Sequence, residues 1–177
     1  QLIPDLENAF PGYNIVVRPH PTENHKVYQQ IAARCERVHV TNEGNVVPWL
    51  MATKAVVHNG CTTGVEAYMM GVPAISYRAV VHDDYDYGFY ILPNKMSHQC
   101  FDFEQLKDLL QRILQGEIGS ADGDERQALI QHLMASQEGP LACERMVDVL
   151  ETITGERAEF SHVALSAVSR DTDPHLL

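Results

Sequence analysis

Between residues 14 and 77, short runs of apolar, β-prone residues alternate with segments of helical periodicity. This alternation constrains the fold more than any other feature. Asn14-Ile15-Val16-Val17-Arg18 follows a Pro11-Gly12 turn signal and reads as a strand. Over 24–35, Val27, Tyr28, Ile31, Ala32 and Cys35 recur at helical spacing, with charged residues between them. Val38-His39-Val40 is predicted as a second strand, 42–45 as a loop, and Val46–Ala52 as a short helix that tolerates Pro48 in its first turn. Residues 54–58 are predicted as the third strand and 59–62 as a tight turn. A helix over 63–70 is stopped by Gly71, and a fourth strand over 72–77 has Pro73 at its entrance. Strands joined in this way by helices specify a parallel sheet covered on both faces. The expected fold class is therefore α/β, Rossmann-like.

Residues 78–101 break the alternation. They hold Asp83-Asp84-Tyr85-Asp86-Tyr87-Gly88 and then Leu92-Pro93-Asn94, and a loop of that length implies function or disorder. Three helices are predicted beyond it, near 103–115, 122–136 and 140–154, the last with an apolar face of Leu141, Met146, Val149, Leu150 and Ile153. Residues 156–177 are polar and aperiodic and read as a frayed tail, which leaves one domain over 1–155.

Charge narrows the function classes. The net charge is −11, with 9 basic against 12 acidic side chains up to residue 116 and 4 against 12 beyond it. A non-specific nucleic-acid binder needs a basic face, so that class is excluded, although the first two thirds have room for a local anion site. No apolar run approaches the ~20 residues of a membrane-spanning helix. Cys35, Cys61, Cys100 and Cys143 show no CxxC spacing and read as reduced thilols of a cytosolic protein, and the histidines show no ligand spacing, so neither metal nor cofactor is expected. The chain has no initiator Met and reads as a fragment or an excised domain.

In an open parallel sheet, ligands bind outside the carboxyl ends of the strands. Two segments leave strands there. The first is Arg18-Pro19-His20-Pro21-Thr22-Glu23-Asn24-His25-Lys26. Two prolines fix the backbone and with it the direction of His20, beside a helix start whose unpaired N–H groups favour anions. The alternative is a pair of turn prolines around a surface histidine. The second is His58-Asn59-Gly60-Cys61-Thr62-Thr63-Gly64-Val65-Glu66. Here Thr62 or Thr63 can cap a helix whose remaining N–H groups face an anion, and Glu66 suits a neutral diol such as ribose. The alternative is a capping box of Thr63 with Glu66. The proximity of His58 and Cys61 in sequence does not establish a thiol nucleophile. His82 to Tyr87 reads as a solvated acidic loop, with metal or acceptor-sugar binding as the alternative, and Trp49 reads as a core or anchoring residue.

Taken together, Arg-Pro-His-Pro-x-Glu, His-Asn-Gly-Cys-Thr-Thr-Gly-Val-Glu-Ala and Gly-Val-Pro-Ala-Ile-Ser-Tyr resemble the C-terminal nucleotide-sugar-binding domain of GT-B-fold glycosyltransferases. The resemblance is to bacterial surface-carbohydrate (capsule and lipopolysaccharide) enzymes, similar to Kdo transferases and bacterial sialyltransferases, and it covers about residues 12–115. It implies one half of a GT-B fold followed by C-terminal helices. It also implies a donor site in which His20 and Pro21 match a His-Pro motif, Thr62 and Thr63 match a Ser/Thr pair that contacts phosphate, and Glu66 matches a ribose ligand. Arg18, Asn59 and Gly60 join that set by position only. Thr-Thr departs from the commoner Ser-Ser or Ser-Thr, keeping the hydroxyls and adding two methyls.

The resemblance further implies a metal-independent sugar transfer in which His20 is the catalytic residue. The donor is a nucleotide sugar, CMP-linked by preference and carrying Kdo or another acidic sugar, and the acceptor is a glycan or glycolipid. The base that activates the acceptor comes from an N-terminal GT-B domain across the cleft, so this chain binds donor and is incomplete as an enzyme. The location implied is cytoplasmic. Lipid-linked acceptors would bring it to the inner face of the bacterial membrane, though no basic amphipathic helix supports that. Two alternatives stand beside this reading: a nucleotide-sugar 2-epimerase or glycerophosphotransferase relative, and a non-catalytic nucleotide-binding or interaction module.

Overall fold

The computed structural model describes residues 1–133 and 139–154. They fall into two compact units, Gln1–Gln131 and a second beginning at His132. The tail expected over 156–177 lies outside the described residues.

The first unit is α/β, with parallel strands and helices in a Rossmann-like arrangement. Helix α1 (Leu2–Ala9) leads into β1 (Ile15–Val17), α2 (His25–Ala32), β2 (Val38–Val40) and α3 (Val46–Ala52). Then come β3 (Val56–His58), α4 (Thr63–Met69), β4 (Ala74–Tyr77), a π-helical turn (Tyr85–Phe89), α5 (Ile91–Lys95), β5 (His98–Cys100) and α6 (Phe103–Leu114). Helix α7 (Asp124–Leu133) runs two residues past the boundary of the two units, and α8 (Ala142–Thr154) belongs to the second. Strands β1 and β2 pair in parallel, Val16 opposite His39, and β3, β4 and β5 form a second parallel sheet in that order. In it Val57 lies opposite Ile75, and Ser76 opposite Gln99.

Helices cover both faces of the three-stranded sheet, because neighbours in a strand point to opposite sides. Ile75 packs with Leu6 of α1 and with Leu106 and Ile113 of α6, whereas Ala74 packs with Leu50 of α3 and Ala67 of α4. Ile75 and Leu106 are wholly buried, and each such aliphatic side chain contributes about 2 kcal/mol. Burial also pushes the Cys100 thiol in this core up to about 11, which keeps it neutral. None of the four cysteines is in a disulfide.

Two sequence expectations are corrected, and one element, α1, lies where the sequence reading placed none. Residues 1–9 contain α1, whose Leu2 and Leu6 stand one turn apart and pack in the core with Phe10. The helix expected to reach Cys35 ends at Ala32. The buried Glu7 carboxylate takes the backbone N–H groups of Glu36 and Arg37, at 2.8 and 2.5 Å, and draws the chain out of the helix before β2. Residues 78–101 are not one long loop: they hold the π turn, α5 and β5. His98-Gln99-Cys100 has no run of β-branched residues, so β5 is a strand by pairing with β4 and not by propensity. No helix among the described residues is long and apolar enough to cross a membrane.

Candidate functional site

The loop after β1 is built by short-range contacts. Pro19 is buried and His20 is exposed. The His20 N–H donates to Glu23 Oε2 at 2.7 Å, and Glu23 Oε1 accepts the Tyr28 hydroxyl at 3.1 Å. His20 Nδ1 accepts the Thr22 N–H at 3.3 Å and lies 2.8 Å from Thr22 Oγ1. Nδ1 therefore carries the lone pair, which assigns the proton of the neutral ring to Nε2. Among the described residues, Nε2 meets no partner. Pro21 is exposed, and His25 Nε2 sits 3.2 Å from the His20 carbonyl and 3.2 Å from Asn42 Nδ2.

Arg18 is turned elsewhere. Its guanidinium donates to the carbonyls of Glu43 and Gly44, at 3.0 and 3.1 Å, and lies 5.2 Å from the centre of the Trp49 ring. Trp49 Nε1–H donates to the same Glu43 carbonyl at 3.2 Å, so Trp49 anchors the loop after β2. Arg18 braces that loop and is not drawn to the imidazole of His20.

The loop after β3 is built by packing. His58 is buried, and its Nδ1 accepts the Cys61 N–H at 3.3 Å. The ring proton is thereby assigned to Nε2, which stands 2.8 Å from Ser97 Oγ, and the Ser97 hydroxyl donates a hydrogen bond to the Pro93 carbonyl at 2.8 Å. Burial, with the nearby charge of Arg78, holds His58 down at about 4, so the ring is neutral at neutral pH. A Cβ on Gly64 would come within 2.3 Å of His58 Nε2, so the first turn of α4 closes on the imidazole because residue 64 has no side chain. Gly60, at φ +61°, lies against Tyr90, where a Cβ would stand 2.7 Å from the ring.

The predicted phosphate ligands sit on this frame. Thr62 is exposed and makes no side-chain cap. The Cys61 thiol donates to Thr63 Oγ1 at 3.2 Å, and it is the Cys61 backbone, not its sulfur, that bonds His58. The arrangement is therefore not a Cys–His nucleophile pair. The N–H groups of Gly64, Val65 and Glu66 go to the carbonyls of Cys61 and Thr62, whereas those of Thr62 and Thr63 donate to no group among the described residues. Glu66 is exposed in the first turn of α4, and its carboxylate has no partner among the described residues, so the capping box with Thr63 does not form. Asn59 is exposed.

Both loops leave the carboxyl ends of parallel strands within one compact unit, and Ile15 of β1 and Ala55, just before β3, pack against the same buried cluster. Among the described residues, no hydrogen bond or ion pair joins the two loops.

Sequence reasoning missed a third group of residues, the polar layer under residues 82–97. Ser76 Oγ donates to Asn94 Oδ1 at 2.8 Å, and Asn94 Nδ2 donates to the Asp86 carbonyl at 3.1 Å. His82–Tyr85 and Tyr87 are exposed, as a solvated stretch would be, but Asp86 is only 6 % exposed and stands 3.5 Å from Nη1 of the buried Arg78. The available signal was an arginine directly after the apolar strand 74–77, followed eight residues later by an acid between two tyrosines. Among the described residues, no cluster of histidine, cysteine or acidic side chains has the arrangement of a metal site.

Comparison of the chain with protein-family models, with curated proteins and with solved structures gave no match.

Proposed function

We propose that this chain is the donor-binding domain of a GT-B-type glycosyltransferase that moves a sugar from a nucleotide sugar to a glycan or glycolipid. The preferred donor is CMP-linked, with Kdo or another acidic sugar. One observation carries the reading: the loops after β1 and β3 present hydrogen-bond donors that the protein itself leaves unused. These are His20 Nε2–H and the N–H groups of Thr62 and Thr63, with the Thr62 hydroxyl beside them. They stand at the strand ends where open α/β sheets receive ligands.

The chemistry follows from charge. As the bond from the sugar to the nucleotide breaks, negative charge grows on the leaving phosphate oxygen. Donors fixed beforehand near that oxygen stabilise the transition state more than the ground state. His20 is suited to this role because its ring is oriented through Nδ1 by Thr22 while Nε2–H stays open. At the mouth of α4, Thr62 and Thr63 offer N–H and hydroxyl groups to the phosphate, and Glu66 accepts from ribose hydroxyls. The Arg18 guanidinium steadies the neighbouring loop through the carbonyls of Glu43 and Gly44. The nucleotide leaves as CMP, and the acceptor oxygen, deprotonated by a base outside this chain, takes the sugar.

Titration calorimetry with CMP, and with UMP for contrast, tests the reading. His20→Ala and the pair Thr62→Val, Thr63→Val should each weaken CMP binding about tenfold, the worth of one hydrogen bond to a charged group. Wild-type protein that binds neither nucleotide, or variants that bind CMP as wild type does, would remove the site.

A further inference from the structure

Arg78 stands directly after β4, on the side of the sheet where ligands of open α/β folds bind, yet it is only 1 % exposed. Its surroundings satisfy it poorly. Nη2 donates to Gln99 Oε1, but Nε and Nη1 have no hydrogen-bond acceptor among the described residues. The counter-charge is Asp86, whose Oδ1 is 3.5 Å from Nη1 and too far for a good hydrogen bond. The other oxygen of Asp86 accepts the His82 N–H at 2.6 Å. Buried polar groups are almost always hydrogen-bonded, and a buried cation with idle donors is a cost that needs a reason.

The residue that neutralises Arg78 lies on the π-helical turn, a form that gathers at functional sites. The guanidinium lies 6.0 Å from the ring centre of Tyr87, on the same turn, and 5.0 Å from that of Phe101. Beside it is a cleft of about 60 Å³, lined by Arg78, Asp86, Tyr87, Asn94, Lys95 and Gln99 together with Ile91. The cleft has room for about two water molecules or one small group. Of the two cations in its lining, Lys95 is paired with Glu125 at 2.5 Å and Arg78 faces Asp86, so what stays unmatched is the pair of idle donors Nε and Nη1 of the guanidinium, which suit an anionic acceptor.

We propose that residues 82–90 form a strap over a carboxylate-binding site floored by Arg78, and that Asp86 is the strap's own stand-in for the ligand. A carboxylate is the class because the group already held against the guanidinium is one. An incoming carboxylate that reaches Nε and Nη1 makes the hydrogen bonds that Asp86 does not. That difference in contact favours the open strap, since a ligand shifts an equilibrium only by its differential affinity. The proposal does not depend on the nucleotide-sugar reading, and neither stands or falls with the other.

The test is a titration of the full chain with acetate, against sodium chloride at matched ionic strength, following the Arg78 Nε–H by NMR and amide exchange over 82–90. Acetate should move the Nε–H signal saturably and speed exchange in the strap. Tyr87→Ala uncovers the guanidinium without touching the ion pair and should tighten acetate binding about fivefold by lowering the cost of opening. Asp86→Ala should bind formate more tightly than wild type does; if it does not fold, the wild-type and Tyr87→Ala titrations decide alone. The proposal is overturned by a wild-type signal that acetate leaves still, by a shift that chloride reproduces, or by preference for inorganic phosphate. Unchanged affinity in Tyr87→Ala, or formate binding confined to Asp86→Ala, overturns it equally.

Discussion

The loops after β1 and β3 leave equivalent strand ends but are made in opposite ways. The first holds His20 exposed, oriented by Thr22 and Glu23 within three residues of chain. The second holds His58 buried, keyed to Gly64 in front and to Ser97 from across 39 residues. One histidine keeps an open Nε2–H, and the other uses both ring nitrogens. A histidine available for chemistry and a histidine that builds a frame thus both stand at the carboxyl ends of parallel strands, His20 three residues past β1 and His58 as the last residue of β3. What separates them is whether the protein itself takes up their hydrogen bonds.

The sharpest way to break this contrast is Gly64→Ala. The new Cβ cannot coexist with the His58 ring, so overpacking and loss of the His58–Ser97 bond together should cost about 4 kcal/mol, read from the urea midpoint. His58 gives the next effect, through pH. Its folded value near 4 lies below the ordinary 6.5, so the unfolded chain takes up a proton first as pH falls. Stability from this group is complete above pH 6.5 and is lost between 6.5 and 4, about 3 kcal/mol in all. Denaturant titrations across that window should show the decline, and His58→Gln should flatten it; a wild-type profile without it would mean that His58 titrates freely. His20→Ala should give the smallest stability effect, within about 0.5 kcal/mol, because it removes only surface contacts. A thermal shift that moves as far for His20→Ala as for Gly64→Ala would erase the distinction between the two loops.

The legibility of each feature follows the range of the contacts that make it. Val38–Val40 and Val46–Ala52 occur where the sequence puts them, since a β-prone run and a short helical stretch with Pro48 in its first turn are local signals; the structure adds an Asn45 cap, whose side chain accepts the Val47 N–H at 2.8 Å. Helix α2 stops at Ala32, where the Arg34 and Cys35 N–H groups turn back three residues, and the Glu36 N–H that follows goes to a carboxylate 29 residues away, a partner no local window contains. Strand β5 was invisible because its identity comes from its neighbour β4. At the site, the Pro-His-Pro segment and the Thr-Thr turn were legible as motifs. That Arg18 points to the 43–44 loop and that Glu66 stays open were not, because side-chain direction depends on partners distant in sequence.

The amino-acid order alone therefore determined the α/β class, the parallel alternation and the two strand-end loops, because hydrophobic period and turn chemistry act over a few residues. Only the tertiary structure decided which histidine is free, that α1 closes the core, and that Arg78 lies buried beneath Asp86. Burial and hydrogen-bond satisfaction are properties of groups brought together in space, and no short window of sequence contains both partners.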